Sequence, residues 1–176
     1  MEYNRKFVEN KGYEPYLTSK YPDKKLAILT CMDTRLLELL PAALGIKNGD
    51  AKIIKNAGGV IVHPYGSVVR SLLVGILELG VEEVMVIGHT DCGVQGMDGH
   101  EMLEKLVERG IDQQHIDIVR HSGIDLERWL GGFESVESSV HETVRSLKEH
   151  PLMPKNVWIS GFIMDSATGE LTRVEG

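Results

Sequence analysis

Cysteine is scarce in this chain. There are two among 176 residues, too few for the disulfide framework that staples small exported domains. The N-terminus carries no apolar export segment, so a cytoplasmic location, where thiols stay reduced, is expected. No apolar run approaches the roughly 20 residues of a membrane-spanning helix, and no membrane partner is expected. Basic clusters are missing too. Lys and Arg number 19 against 26 Asp and Glu, for a net charge of −7. A nucleic-acid surface needs the opposite balance, so no nucleic-acid partner is expected. Repeats, linkers and low-complexity segments are absent, and the length suits one domain with a sizeable core.

Both cysteines fall in stretches that carry chemistry. Cys31-Met32-Asp33-Thr34-Arg35 reads Cys-x-Asp-x-Arg, and His89-Thr90-Asp91-Cys92 reads His-x-x-Cys. Each follows a short apolar run, Leu26 to Leu29 and Val84 to Ile87, of the kind that forms buried strands. Cys31 and His89 are therefore expected at the C-terminal ends of two strands, the end that carries the ligand site in open α/β sheets. Two thiolates and one imidazole converging there make a Cys₂His zinc set with a fourth position free, the ligand count of a catalytic zinc. Free cysteines also serve as small buried hydrophobes, and two cysteines can pair as a disulfide. The Asp and the Arg beside Cys31 favour the metal.

In chain order, residues 1–24 crowd four of the five tyrosines, Tyr3, Tyr13, Tyr16 and Tyr21, into a helical N-terminal arm. Tyr3 and Phe7 are four apart and share a helix face. After the first strand, Leu36 to Leu44 repeat at helical spacing, with Asp33 or Thr34 as cap and Pro41 shortening the pattern. Ala51 to Lys55 reads as a second strand ending at Asn56-Ala57-Gly58-Gly59, where paired glycines allow close backbone approach to a bound group. The spacing of Val68, Val69, Leu72, Leu73, Ile76 and Leu77 predicts a largely buried helix, capped by Ser67 and closed by Gly80. Val84 to Gly88 is a third strand. Gly93 to Gly99 is loop, Glu101 to Arg109 a helix, and 111–133 shows no clear pattern. Val136, Val140, Val144 and Leu147 mark a long amphipathic helix ending near His150-Pro151. Val157 to Met164 and Glu170 to Val174 read as a fourth strand and an antiparallel fifth. The predicted fold is α/β: a mostly parallel β-sheet of about four to five strands flanked by helices, with an antiparallel C-terminal edge strand.

Three motifs in this order resemble the β-class carbonic anhydrases: Cys31-x-Asp33-x-Arg35, Asn56-Ala57-Gly58, and His89-x-x-Cys92-Gly93. Ala43 to Ile46 (Ala-Leu-Gly-Ile) and Gly49 to Lys52 (Gly-Asp-Ala-Lys) are similar to the small archaeal-type members. The resemblance runs from about Lys25 to the end. It implies a single zinc-binding domain over 25–176, with the 1–24 arm crossing to a partner subunit of a homodimer or higher even homo-oligomer. It also implies Zn²⁺ held by Cys31, His89 and Cys92, and reversible hydration of carbon dioxide to bicarbonate by attack of zinc-bound hydroxide. Asp33 and Arg35 would be the catalytic dyad, with Arg35 keeping Asp33 ionised and placed through a bidentate pair. In some members the Asp is instead a fourth zinc ligand in a closed, inactive state. The bland reading of Asp33 and Arg35 is a helix cap and a surface charge.

The backbone of Asn56, Ala57, Gly58 and Gly59 is expected to form one wall of the substrate pocket. Plant-type members use a glutamine before the first Cys motif, and here no glutamine precedes Gln95. His63, His100, His115, His121, His141 and His150 are the histidines available as proton shuttles, though each has an ordinary surface or core role as its simplest reading. Two other functions share the motifs. One is hydrolysis of a related linear molecule such as carbon disulfide at the same zinc. The other is a non-catalytic, regulatory zinc protein, which retention of Asp33 and Arg35 argues against.

Overall fold

The first strand, β1 (Leu26–Cys31), is buried along its whole length. That follows from its place, between β2 (Ala51–Asn56) and β3 (Glu83–His89), both parallel to it. A strand covered on both faces needs an unbroken apolar run rather than alternation, and Leu-Ala-Ile-Leu supplies one. The structure, a computed structural model, describes residues 1–174. The last two positions of the expected domain lie outside the described residues.

Beyond β3 the sheet continues with β4 (Trp158–Met164), parallel, and β5 (Leu171–Val174), antiparallel, in the order β2-β1-β3-β4-β5. The antiparallel edge strand is as expected from the Asp165 to Gly169 turn. The chain moves outward from β1 to β2, then crosses back to β3. Strand order thus reverses between β1 and β3, the point at whose carboxyl ends open α/β sheets carry their ligand sites.

Helices cover both faces. On one, α3 (Ser67–Leu79) and α7 (Val136–Glu149) bury Val69, Leu72, Val140, Val144 and Leu147 against Ala27, Val84 and Val86. On the other, the short α2 (Leu39–Ala43) and the turn before it bury Leu36 and Leu40 against Leu26, Ile28, Ile87 and Met164. Adjacent strand residues alternate between the two clusters, as the two-residue period requires. Pro41 falls in the first turn of α2, where its missing N–H costs nothing, and the helix is only five residues long.

Two local expectations are corrected. Gly66, not Ser67, is the N-cap of α3, and Ser67 begins the helix itself. Leu77 is 67% exposed and Val74 is exposed as well, so one flank of α3 faces outward. Gly80 closes the helix as foreseen, at φ 75°, while Val81 N–H reaches back to Gly75 O at 3.0 Å.

The unreadable stretch holds α5 (Gln113–His121) and α6 (Leu126–Leu130), which meet α4 (Gly99–Glu108) around Leu103, Ile116 and Leu126. Asp98, Asp112 and Asp125 cap the three helices through their carboxylates. The N-terminal helix α1 (Glu2–Glu9) buries no residue. The rest of the arm is tied to the domain through main chain: Asn48 Nδ2 donates to Tyr16 O at 2.6 Å and Lys52 Nζ to Lys20 O at 2.6 Å. Among the described residues no helix is long and apolar enough to cross a membrane.

Candidate metal centre

Thr30 and Ile87 set up the site. They are register partners on β1 and β3, and the buried Thr30 hydroxyl donates to Ile87 O at 2.8 Å. Cys31 ends β1 one residue later, and His89 ends β3 two residues later. Cys92 returns from the loop that follows. The Cys31 and Cys92 sulfurs lie 3.9 Å apart, both free thiols and both buried. The two sulfurs and a His89 ring nitrogen all lie within 4.8 Å of one another.

Two observations test whether a metal fits. His89 Nδ1 lies 2.9 Å from Thr90 O. A carbonyl only accepts, so Nδ1 carries the proton and Nε2 keeps a lone pair, the arrangement a ligating imidazole needs. His89 Nε2 is buried and has no hydrogen-bond partner, a costly state for a polar atom unless a ligand satisfies it. The sulfur separation agrees as well, since two Zn–S bonds of about 2.3 Å at a tetrahedral angle span roughly 3.8 Å. Burial pushes the Cys92 thiol up, with neighbouring Cys31 adding to the shift. A coordinating cation reverses that preference and takes up the thiolate. The residues present fit zinc.

Asp33 and Arg35 meet at the mouth. Asp33 Oδ1 accepts from Arg35 N at 2.9 Å and from Nε at 3.0 Å, and Oδ2 accepts from an Arg35 terminal nitrogen at 2.8 Å. So Asp33 is a cap, as the bland reading held, and also the partner in a side-chain fork. The hydrogen bonds from Arg35 hold the Asp33 carboxyl well below the usual carboxylate range and hold the Arg35 guanidinium above its ordinary value. Asp33 Oδ2 lies 3.9 Å from His89 Nε2. The carboxylate thus borders the three donors while both its oxygens accept from Arg35.

The Asn56–Gly59 turn abuts this centre. Asn56 O accepts from Met32 N at 2.8 Å, and the Asn56 side chain bonds Val60 N and O at 3.1 and 2.7 Å, closing the turn. Gly59 has φ 67°, and a Cβ there would meet Cys31 N at 2.9 Å. No side chain but hydrogen allows this approach. A Cβ on Gly58 would meet Phe133 at 2.9 Å. Phe133 and Val94 pack on the cluster that holds both cysteines, and together they give the centre an apolar border. Neither was legible in the sequence, because Val94 lies in the Gly93 to Gly99 loop and Phe133 in the unpatterned stretch.

The six other histidines stand outside the metal cluster. His150 is buried, with Nε2 2.8 Å from Pro64 O and Nδ1 accepting from Leu152 N at 3.2 Å, so it is structural. His63, His100, His115, His121 and His141 are exposed.

The carbonic anhydrase family model matches residues 26–171. The chain is 53% identical over 171 residues to "Putative carbonic anhydrase YvdA" of Bacillus subtilis (strain 168), covering 97% of this chain and 87% of that one. Its fold matches the crystal structure of β-carbonic anhydrase isoform I from Trichomonas vaginalis with a TM-score of 0.87 and 35% identity, over 98% of this chain and 93% of that one. The chain belongs to the β-class carbonic anhydrase family. This family is zinc-dependent, and Cys31, His89 and Cys92 form the cluster able to hold the ion here. Carbonic anhydrase relatives are not the whole neighbourhood. A carbon disulfide hydrolase of Saccharolobus solfataricus is 32% identical over 163 residues, covering 86% of this chain and 78% of that one.

Proposed function

We propose that this β-class protein reversibly hydrates carbon dioxide to bicarbonate and a proton, with zinc held by Cys31, His89 and Cys92. The observation that carries the proposal is the Asp33 carboxylate, fixed by Arg35 and 3.9 Å from the unpartnered His89 Nε2. When bound, zinc lowers the pKa of a water ligand toward about 7 and so makes hydroxide available at neutral pH. The chain's own residues do the rest. Thr90 O accepts from His89 Nδ1, which leaves Nε2 as the ring atom facing the two sulfurs. Asp33, kept ionised, can only accept a hydrogen bond. A water beside it must donate, which turns the oxygen lone pair toward the substrate. Arg35 keeps the carboxylate from moving inward.

Carbon dioxide is small and apolar and needs a dry pocket more than specific donors. The Asn56–Gly59 backbone, Val94 and Phe133 supply such walls. Assembly as a homodimer or an even multiple fits the exposed apolar surface: Tyr3, Val8, Tyr16 and Leu17 in the arm, with Val74 and Leu77 on α3. A cytoplasmic setting fits two free thiols.

Carbon disulfide hydrolysis is the second reading, supported by the relatives of that name at 29 to 32% identity. The higher identity to YvdA favours carbon dioxide. Side-by-side assays on zinc-loaded protein separate the two: proton release from carbon dioxide is expected, and sulfide release from carbon disulfide without carbon dioxide turnover would reverse the assignment.

A further inference from the structure

We propose that Asp91 is a positioning residue for the Asp33–Arg35 dyad, holding the outer side of the Arg35 guanidinium so that its inner side stays on Asp33. This rests on the catalytic reading above. Arg35 makes four side-chain hydrogen bonds. Two go to Asp33, and two go to Asp91: Nη1 to Oδ2 at 2.8 Å and Nη2 to the main-chain O at 2.8 Å. Four of the five guanidinium N–H donors are thereby used, and the plane is clamped between two carboxylates on separate loops.

The backbone of Asp91 points to the same role. Its φ is 54°, one of three positive values among the described non-glycine residues. This left-handed conformation costs a non-glycine residue free energy, and glycine would take the position more readily. The strained geometry turns both the carbonyl and the carboxylate of one residue onto Arg35. The Asp91 side chain is 85% exposed and Arg35 is 40% exposed. Exposed ion pairs contribute little to stability, so the contact should act on placement rather than on folding.

Asp91 is one residue before the ligand Cys92, so zinc content must be followed in every variant. Two substitutions keep the backbone allowed: Asp91→Gly removes the carboxylate and relieves the strain, and Asp91→Asn keeps the shape and removes the charge. With zinc content at the wild-type level, both should lower kcat for carbon dioxide by roughly tenfold to a hundredfold, the scale of a displaced catalytic group, with KM little changed. In an Arg35→Ala background Asp91→Gly should cost nothing further, because the two act as one unit. A second readout does not depend on turnover. The Arg35 Nε–H resonance of zinc-loaded, ¹⁵N-labelled protein should be sharp and slow to exchange in the wild type, and broadened in both variants.

Wild-type kcat together with an unchanged Arg35 resonance in Asp91→Gly would overturn the proposal, as would a full further loss in the Arg35→Ala background. If the wild-type protein itself fails to hydrate carbon dioxide, the functional reading falls. The resonance then decides separately whether Asp91 positions Arg35.

Discussion

The sulfurs of Cys31 and Cys92 lie 3.9 Å apart although 61 residues separate them in sequence. Two neighbouring parallel strands and one turn bring them together. Removing one sulfur leaves the strands intact and takes away one donor. Purified Cys92→Ala should therefore hold far less than the one zinc per chain expected of the wild type. Elemental analysis checks this, and stoichiometric zinc in that variant would refute the ligand set.

Asp33 carries a pH signature. Its folded-state pKa is depressed by Arg35, so the stabilisation from ionised Asp33 is present above its unfolded value of about 3.9 and lost only as pH falls through the lower folded value. Between pH 5 and 9 the wild-type activity profile should contain no limb from Asp33. In Arg35→Ala the Asp33 carboxyl should return toward its ordinary range, adding an acidic limb near pH 4 to 5, with lower activity at neutral pH from misplacement. A profile of unchanged shape and height would mean that Arg35 does not govern Asp33.

Gly59 marks how tightly the turn is built. Gly59→Ala brings a Cβ to 2.9 Å from Cys31 N at φ 67°, whereas Gly45→Ala at φ 61° meets nothing within 4 Å. Both carry the left-handed penalty of roughly 1 to 2 kcal/mol. Only Gly59→Ala should also displace Cys31 and weaken zinc retention. Equal melting temperatures and equal zinc affinities for the two variants would remove the close approach from the account.

Assembly can be checked directly. Light scattering at micromolar concentration should give the mass of a dimer or an even multiple. Deleting residues 1–24 should shift that mass downward if the arm reaches a second copy. A monomer mass for the full chain would contradict the arrangement.

The sheet and the placing of Cys31 and His89 at neighbouring strand ends were legible because they depend on local signals. The apolar runs Leu26 to Leu29 and Val84 to Ile87 placed Cys31 and His89 at strand ends, and the observed strands end at those residues. The long helix at Val136 kept its four-four-three spacing because α7 packs one face on the sheet. What was not legible depends on distant contacts. The α5–α6 region buries only Ile116 and Leu126, too few positions to make a period, so Phe133's place beside the cysteines could not be read. Asp91 is an unassigned position of His-x-x-Cys in the sequence, since no residue pattern reveals the sign of φ. Leu77 looked like core because helical spacing marks an apolar face without saying which chain covers it.

Stopped-flow carbon dioxide hydration on zinc-loaded wild type and Asp33→Asn tests the central claim most directly. Asparagine caps as well as aspartate and leaves the three donors in place, so zinc content and folding should hold. Wild-type turnover should rise with pH through the neutral range, and Asp33→Asn should fall by roughly 10²-fold, the scale of a positioned acid–base group. Equal rates in the two zinc-loaded proteins would contradict the account and leave Asp33 a helix cap alone.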